Sequence, residues 1–308
     1  MAATHSNNSI LRESIRLVGS GAAGQVVALL LLAVIGRQYN QETMGILGSF
    51  LSWGGLLAIA SGARYEQGIV VANAEDEAHT LYHLALRISL IFTLILLPVA
   101  LVIGYANPSL TPLGSSIYAL PFFVLLSTWY NASALWELRH KRYKILAKMQ
   151  FIKGVGNNLL KAVFGFVAAT IGSLITAQML SLIATFPLFF KSLKRGSKAP
   201  KTTSLGSVAK KYRGFPRYGI VQALIDNLLG SLLVLMLPLR YGLAEVGYLT
   251  MAIMLARRPL QLVAENLSNV YFQRLSECVS QRLPIRQLAY KLLRNTLIVS
   301  IPTALLLA

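Results

Sequence analysis

The chain has 308 residues, 55% hydrophobic and 13% charged, with a mean hydropathy of +0.58. A soluble domain carries about 25% charged residues and keeps a polar skin, so this composition excludes an ordinary water-soluble protein and points to lipid as the main solvent. A single cysteine, Cys278, excludes an internal disulfide and a Cys-based zinc centre, while 29 Lys and Arg against 11 Asp and Glu leave a net charge of +18 whose placement must be explained.

Crossing the hydrocarbon takes about 20 apolar residues. Runs of that kind, bounded by charge or by Pro, Asn and Gly, predict nine spans: Leu17 to Gly36, Met44 to Ala63, Leu84 to Tyr105, Leu113 to Trp136, Ile152 to Thr170, Ser173 to Phe190, Gly219 to Leu239, Val246 to Val263, and Leu288 to the terminus. The expected fold is therefore all-α and polytopic. The fifth and sixth runs are separated only by Ile171-Gly172 and Lys161 interrupts the fifth, so one long helix with a re-entrant piece is the alternative there. The first run is longer than a signal-peptide core and lacks a small-residue cleavage site after it, which reads as a retained span.

Charge gives the orientation. With the N-terminus inside, the far-side loops hold only Arg37 and Arg240, and the other 27 basic residues fall inside or within the inner halves of spans. By the positive-inside rule the N-terminus is cytoplasmic. The densest basic stretch, Lys191 to Arg217, carries nine Lys and Arg and no acid. It reads as a linker facing lipid headgroups, not as a nucleic-acid surface. The expected organisation is a six-span lobe over 1–190, a basic cytoplasmic linker over 191–218 and a second, partial lobe over 219–308.

The turn after span 1 runs Arg37-Gln38-Tyr39-Asn40-Gln41-Glu42-Thr43-Met44-Gly45, and the turn after span 7 runs Arg240-Tyr241-Gly242-Leu243-Ala244-Glu245-Val246-Gly247. Each places a Gly six residues after a Tyr, at the opening of the next span. An offset of six spans preserves direction, so this predicts a parallel repeat about an axis along the membrane normal. A second lobe begun at span 7 is expected to run to a twelfth span, whereas the chain stops in span 9. The expectation is either a fragment or the product of a shortened gene, or a span 9 that closes an unusual half-lobe.

Arg64-Tyr65-Glu66 at the end of span 2, the acidic step from Asn73 to Glu77, the stretch FPRYGIVQALIDNLLGSLLVLMLP and VYFQRLSE at Val270 to Glu277 together resemble the polysaccharide and O-antigen flippases of the multidrug/oligosaccharidyl-lipid/polysaccharide exporter superfamily. That resemblance implies a multi-pass protein of the bacterial inner membrane. It implies translocation of an undecaprenyl-diphosphate-linked oligosaccharide between leaflets, for O-antigen, capsule or exopolysaccharide assembly, by two six-helix lobes alternating around a cavity. Polysaccharide polymerase or glycosyltransferase partners would follow. Non-transporting scaffolding and drug or cation export by the same fold are the alternatives.

Such a substrate needs a wet, cationic path for its diphosphate, and ionisable residues inside spans, at about +2.5 to +3.5 kcal/mol each, are seldom kept without use. Arg64, Glu66, Lys161, Arg257 and Arg258 are the substrate-binding candidates, and Asp226 in span 7 is the candidate for ion coupling. Arg64 offers a bidentate fork for phosphate, or a local pair with Glu66 or Glu75. Lys161 has the alternative of snorkelling to the inner headgroups. Asp226 has that of pairing with Arg217. Arg257-Arg258-Pro259 either lines the cavity or marks a kink.

Other motifs fail. Gly19-Ser20-Gly21-Ala22-Ala23-Gly24 fits a dinucleotide loop, but no strand precedes it, and close helix packing explains it better. His79 and His83 have metal-helix spacing without the Glu after the first His. No Walker lysine or nucleophile elbow is present, and the outer loops are too short for a polymerase or ligase of lipid-linked sugars. No cofactor, no metal and no enzymatic activity are expected.

Overall fold

The computed structural model describes residues 27, 29–106, 113–188, 190, 204–256 and 290. The described residues form helices and turns without a strand, as the sequence predicts. Leu31–Met251 make one compact unit; Met1–Leu30 and Ala252–Ala308 make another, nearly all of it outside the described residues.

Helix α1 (Leu29–Gln38) is short and apolar. Asn40 caps α2 (Gln41–Ser61), its extended backbone letting the side-chain oxygen accept from the Thr43 N–H at 2.8 Å. After the Gly62 C-cap, Ala63 and Arg64 take left-handed backbone angles, φ 49° and 58°, and turn the chain into the short α3 (Tyr65–Val71). Helix α4 (Glu75–Ala106) opens with Glu75, Asp76 and Glu77, which complement the positive end of the helix dipole. At 32 residues it is roughly 48 Å long, more than the hydrocarbon thickness, so its acidic first turns stand clear of the apolar layer. Its second half exposes Leu94 and Val102 at 64% and 65%, the surface of a helix facing lipid.

A 3-10 turn (Gly114–Ala119) leads into α5 (Leu120–Arg139), with Pro121 in its first turn. After a turn at residues 140–142, with Lys141 at φ 55°, the chain is helical without a break from α6 (Tyr143–Phe151) through a π turn (Ile152–Gly156) to α7 (Asn157–Val167). The stretch Ala168 to Thr170 ends α7, and Thr170 caps α8 (Ile171–Ile183). The fifth and sixth runs are thus two helices packed on one another, not one long helix. The described part of the linker holds α9 (Leu205–Lys211) and the start of a second π turn (Phe215–Gly219), and α10 (Ile220–Met236) and α11 (Leu243–Ala256) follow.

By length and composition, Gln41–Ser61, Glu75–Tyr105 and Ile171–Leu188 can each cross a membrane. Phe215–Leu228 and Gly230–Leu239, bent by 56°, make a fourth crossing if they act as one. Two buried layers hold the bundle. One gathers Phe50, Leu120, Phe123, Tyr130, Met149 and Ile175; the other packs Tyr65, Ile69, Tyr82 and Val208 around Trp136.

The helices that follow the two matching turns touch at their starts. A Cβ on Gly45 would fall on the Leu243 carbonyl, and a Cβ on Gly247 would fall on the Gln41 carbonyl. Gln41 and Leu243 are the first residues of α2 and α11, so each glycine meets the opening carbonyl of the other helix. The arrangement is reciprocal, each helix start meeting the other at the matching position. Further along, the Thr250 hydroxyl occupies the space over Gly48.

Candidate functional site

The residues predicted to bind substrate do not all converge. Arg64 and Glu66 share the elbow between α2 and α3, whereas Lys161 belongs to the opposite end of the bundle. The Tyr39 hydroxyl, just before α2, donates to the Lys161 carbonyl at 2.9 Å. Arg64 follows the other end of α2, about 30 Å along a helix of this length.

The elbow is held from two sides. Ser61 and Thr128 hydroxyls lie 2.5 Å apart, and Thr128 also donates to the Val124 carbonyl at 3.0 Å, which pins the last turn of α2 to α5. Gly62 fits closely here: a Cβ would come within 2.6 Å of the Glu66 carboxyl and 2.9 Å of the Thr128 methyl, so a larger residue would have to displace these side chains. Glu66 is 4% exposed, and its Oε2 has no hydrogen-bond partner among the described residues. Burial pushes its carboxyl above the ordinary carboxylate range, against the opposing effects of a backbone hydrogen bond and the nearby Arg64 charge. The aliphatic stem of Arg64 lies over Gly219 in the second π turn, and its buried Nε also lacks a partner among the described residues. A guanidinium and a carboxyl with unspent hydrogen-bonding capacity therefore meet where α2, α3 and the start of α10 come together.

Arg139, which sequence reasoning passed over, braces the far end of α3. Its guanidinium donates to the carbonyls of Ile69 and Ala72, both at 2.8 Å, closing the C-terminal end of that helix, and its Nε reaches Glu75 at 3.2 Å. His140 adds a contact of 2.7 Å to the other Glu75 oxygen. The acidic step also anchors the basic linker. Lys211 pairs with Glu77 at 2.5 Å, Tyr212 donates to the other Glu77 oxygen at 2.8 Å, and Tyr65 donates to the Ala209 carbonyl at 3.2 Å. The Glu77 hydrogen bond holds the Lys211 ammonium above its usual range. At least this part of the linker is docked protein, not a chain lying free on headgroups.

Lys161 is 3% exposed, so it does not snorkel along the helix surface. It stands one turn after Asn157 and Asn158, both buried, and the Asn157 amide donates to Gln178 of α8 at 2.7 Å. This polar cluster inside two apolar helices was missed. Two adjacent Asn followed three residues later by Lys is the signal that marks it. Asp226 is exposed on α10 and is not paired with Arg217, whose guanidinium lies over the Tyr218 ring at 5.6 Å. Arg257 and Arg258 lie outside the described residues. Among the described residues, no group of three or more His, Cys, Asp or Glu is placed to hold a metal. His79 and His83 instead face each other, Nε2 to Nε2, at 3.3 Å, with the His79 ring centroid 5.9 Å from that of Trp136.

No curated protein matches the sequence. A solved structure described as "protein A" superposes with a TM-score of 0.59 at 14% identity, over 85% of this chain and 66% of that one. The likeness is one of fold, and the chain spans just under two thirds of that protein's length. The family model described as "polysaccharide biosynthesis protein" matches residues 67–308, which takes in the docked linker, both π turns and the polar cluster of α7 and α8. This membrane protein therefore belongs to the polysaccharide biosynthesis protein family.

Proposed function

We propose that the protein is a flippase that moves an undecaprenyl-diphosphate-linked oligosaccharide from the inner to the outer leaflet of the bacterial inner membrane, by alternating access and without chemistry on the substrate. In this reading the N-terminus is cytoplasmic and the Arg64 elbow is the inner binding station. Lys161 serves nearer the outer end, Arg257 and Arg258 line the path in the second half, and Asp226 takes up the coupling ion. The product passes to the polymerases or glycosyltransferases that extend the polysaccharide.

The observation that carries this reading is the elbow itself. Arg64 stands in left-handed backbone between α2 and α3, its stem over Gly219, with an unpartnered Nε and the buried Glu66 carboxyl two residues on. A diphosphate supplies the acceptors that such a fork lacks, and bidentate Arg–phosphate pairing is the strong form of that contact. Drug or cation export fits less well, since a cavity for cations favours carboxylates over this excess of Arg and Lys.

Flipping of a fluorescent undecaprenyl-diphosphate oligosaccharide in proteoliposomes tests the proposal. Transport by the native chain, lost in Arg64→Ala and partly kept in Arg64→Lys, is the expected result. Unchanged transport in Arg64→Ala removes Arg64 from the path. A folded native chain that flips nothing would put a partner-dependent scaffold in its place.

A further inference from the structure

A cation stands in the middle of the helical run from α6 to α7. Lys153 belongs to the π turn Ile152–Gly156, roughly 15 Å along the axis from the start of the run at Tyr143 and roughly 21 Å from its end at Val167. We infer that this turn is a second binding station for the diphosphate of the lipid-linked substrate, between the Arg64 elbow and Lys161, with Lys153 as the residue that holds it. The inference rests on the flippase reading for the identity of its ligand.

Three observations support it. First, the ammonium is turned into the bundle. Its Nζ lies 4.2 Å from the centroid of the Tyr130 ring, and Tyr130 is buried in the layer of Phe50, Met149 and Ile175. A lysine that only reached for the inner headgroups would carry its charge away from that layer. An aromatic face fixes the position of a cation without cancelling its charge. Second, the surrounding helices bring no carboxylate to that depth. Residues 138–225 contain no Asp or Glu, which covers α6, the π turn, α7 and α8. The one acid of α5 is Glu137, near its C-terminal end and 3.9 Å from Arg142. A cation inside a span is seldom kept without use, and an anionic ligand is the complement that these helices do not supply. Third, the turn leaves room. A Cβ on Gly154 would meet nothing within 4 Å, and one on Gly156 would meet only the Ile152 side chain, at 3.8 Å. π turns within α-helices are frequent at functional sites. One residue beyond this one, the buried Asn157 has an Oδ1 without a partner among the described residues, while its amide nitrogen donates to Gln178. Open space, a positioned cation and polar groups on the next turn make a wall suited to a hydrated headgroup. There an ammonium serves as a point-charge ligand for phosphate oxygens.

Calorimetric binding of geranyl diphosphate, a short soluble relative of the substrate lipid, to the full chain in phosphatidylcholine nanodiscs tests the station. The titration is made in an Arg64→Ala background, so that the elbow makes no contribution. The expected result is saturable binding that remains in this background, weakens with added salt, is lost in Lys153→Gln and is kept in Lys153→Arg. If the Gln variant fails to fold, Lys153→Met gives the same comparison with a stem of similar length. Absence of binding in the Arg64→Ala chain, binding that is the same with and without Lys153, or equal binding of uncharged geraniol overturns the station. Because the titration needs no transport, the two ideas fail separately. Lys153-dependent binding in a chain that flips nothing keeps the station and defeats the flippase. Flipping that persists in Lys153→Gln, with binding unchanged, does the reverse.

Discussion

Gly45 and Gly247 stand in a reciprocal relation: each lies against the main-chain carbonyl of the residue four positions before the other. Neither position has room for a methyl group. Forcing a methyl into a close-packed contact costs typically 1–3 kcal/mol. Gly45→Ala and Gly247→Ala are therefore expected to lower the unfolding midpoint in detergent, read by tryptophan fluorescence. Gly55, in the same helix α2, has open space where a Cβ would stand, with nothing within 4 Å. Gly55→Ala should be neutral or stabilising by up to about 1 kcal/mol from helix propensity. Equal behaviour of all three substitutions would show that the close approach carries no energy.

Arg139 caps α3. The seven residues Tyr65–Val71 contain Gly68 followed by Ile69, Val70 and Val71, a poor helix by propensity, and the two Arg139 bonds to Ile69 and Ala72 satisfy carbonyls that would otherwise end unpaired. Hydrogen bonds to a charged group are worth roughly 1.5–3 kcal/mol. Arg139→Ala should cost that order of stability and speed amide exchange over 65–71 selectively. Arg139→Lys, with a point charge in place of the fork, should recover only part of it. Exchange in α3 that does not change in Arg139→Ala would remove the cap from the account.

These two cases show what sequence alone could supply. The glycines at Gly45 and Gly247 were legible because a repeat leaves two copies of one signal. Arg64 and Glu66 were legible because charges at the end of an apolar run stand out. Arg139 looked like any inner-face basic residue, since its partners are carbonyls that no sequence pattern marks. Docking of Lys211 and Tyr212 on Glu77 joins residues more than 130 positions apart and reads in the sequence only as a charged linker. The continuity of α6 with α7 through the π turn at Ile152–Gly156 was not legible, because Lys144 and Lys148 in α6 interrupt the apolar pattern before Ile152.

The interhelical bond from Asn157 to Gln178 allows a double-mutant cycle. Bonds of this type inside a membrane average about 0.6 kcal/mol, with a maximum near 1.7. Asn157→Leu and Gln178→Leu singly should each destabilise the α7–α8 pair by leaving the other amide unpaired. The double variant should lose less than the sum, with a coupling in that range. Strict additivity would mean that the 2.7 Å contact contributes nothing.

Glu66 sets a pH dependence of definite sign. Burial raises its carboxyl above the ordinary value of 4.5, so the folded state holds this proton more tightly than the unfolded chain does. The resulting stability is fully present below the unfolded pKa and is lost as pH rises through the folded one. Glu66→Gln keeps the shape of the protonated side chain and cannot ionise. The variant should therefore match the native protein at acid pH and exceed it above the raised pKa, where the native protein carries a buried carboxylate. Melting midpoints measured across that range for both proteins give the comparison. Parallel curves would show that Glu66 ionises as readily in the elbow as in water, and the Arg64 charge would then have to outweigh the burial of its neighbour.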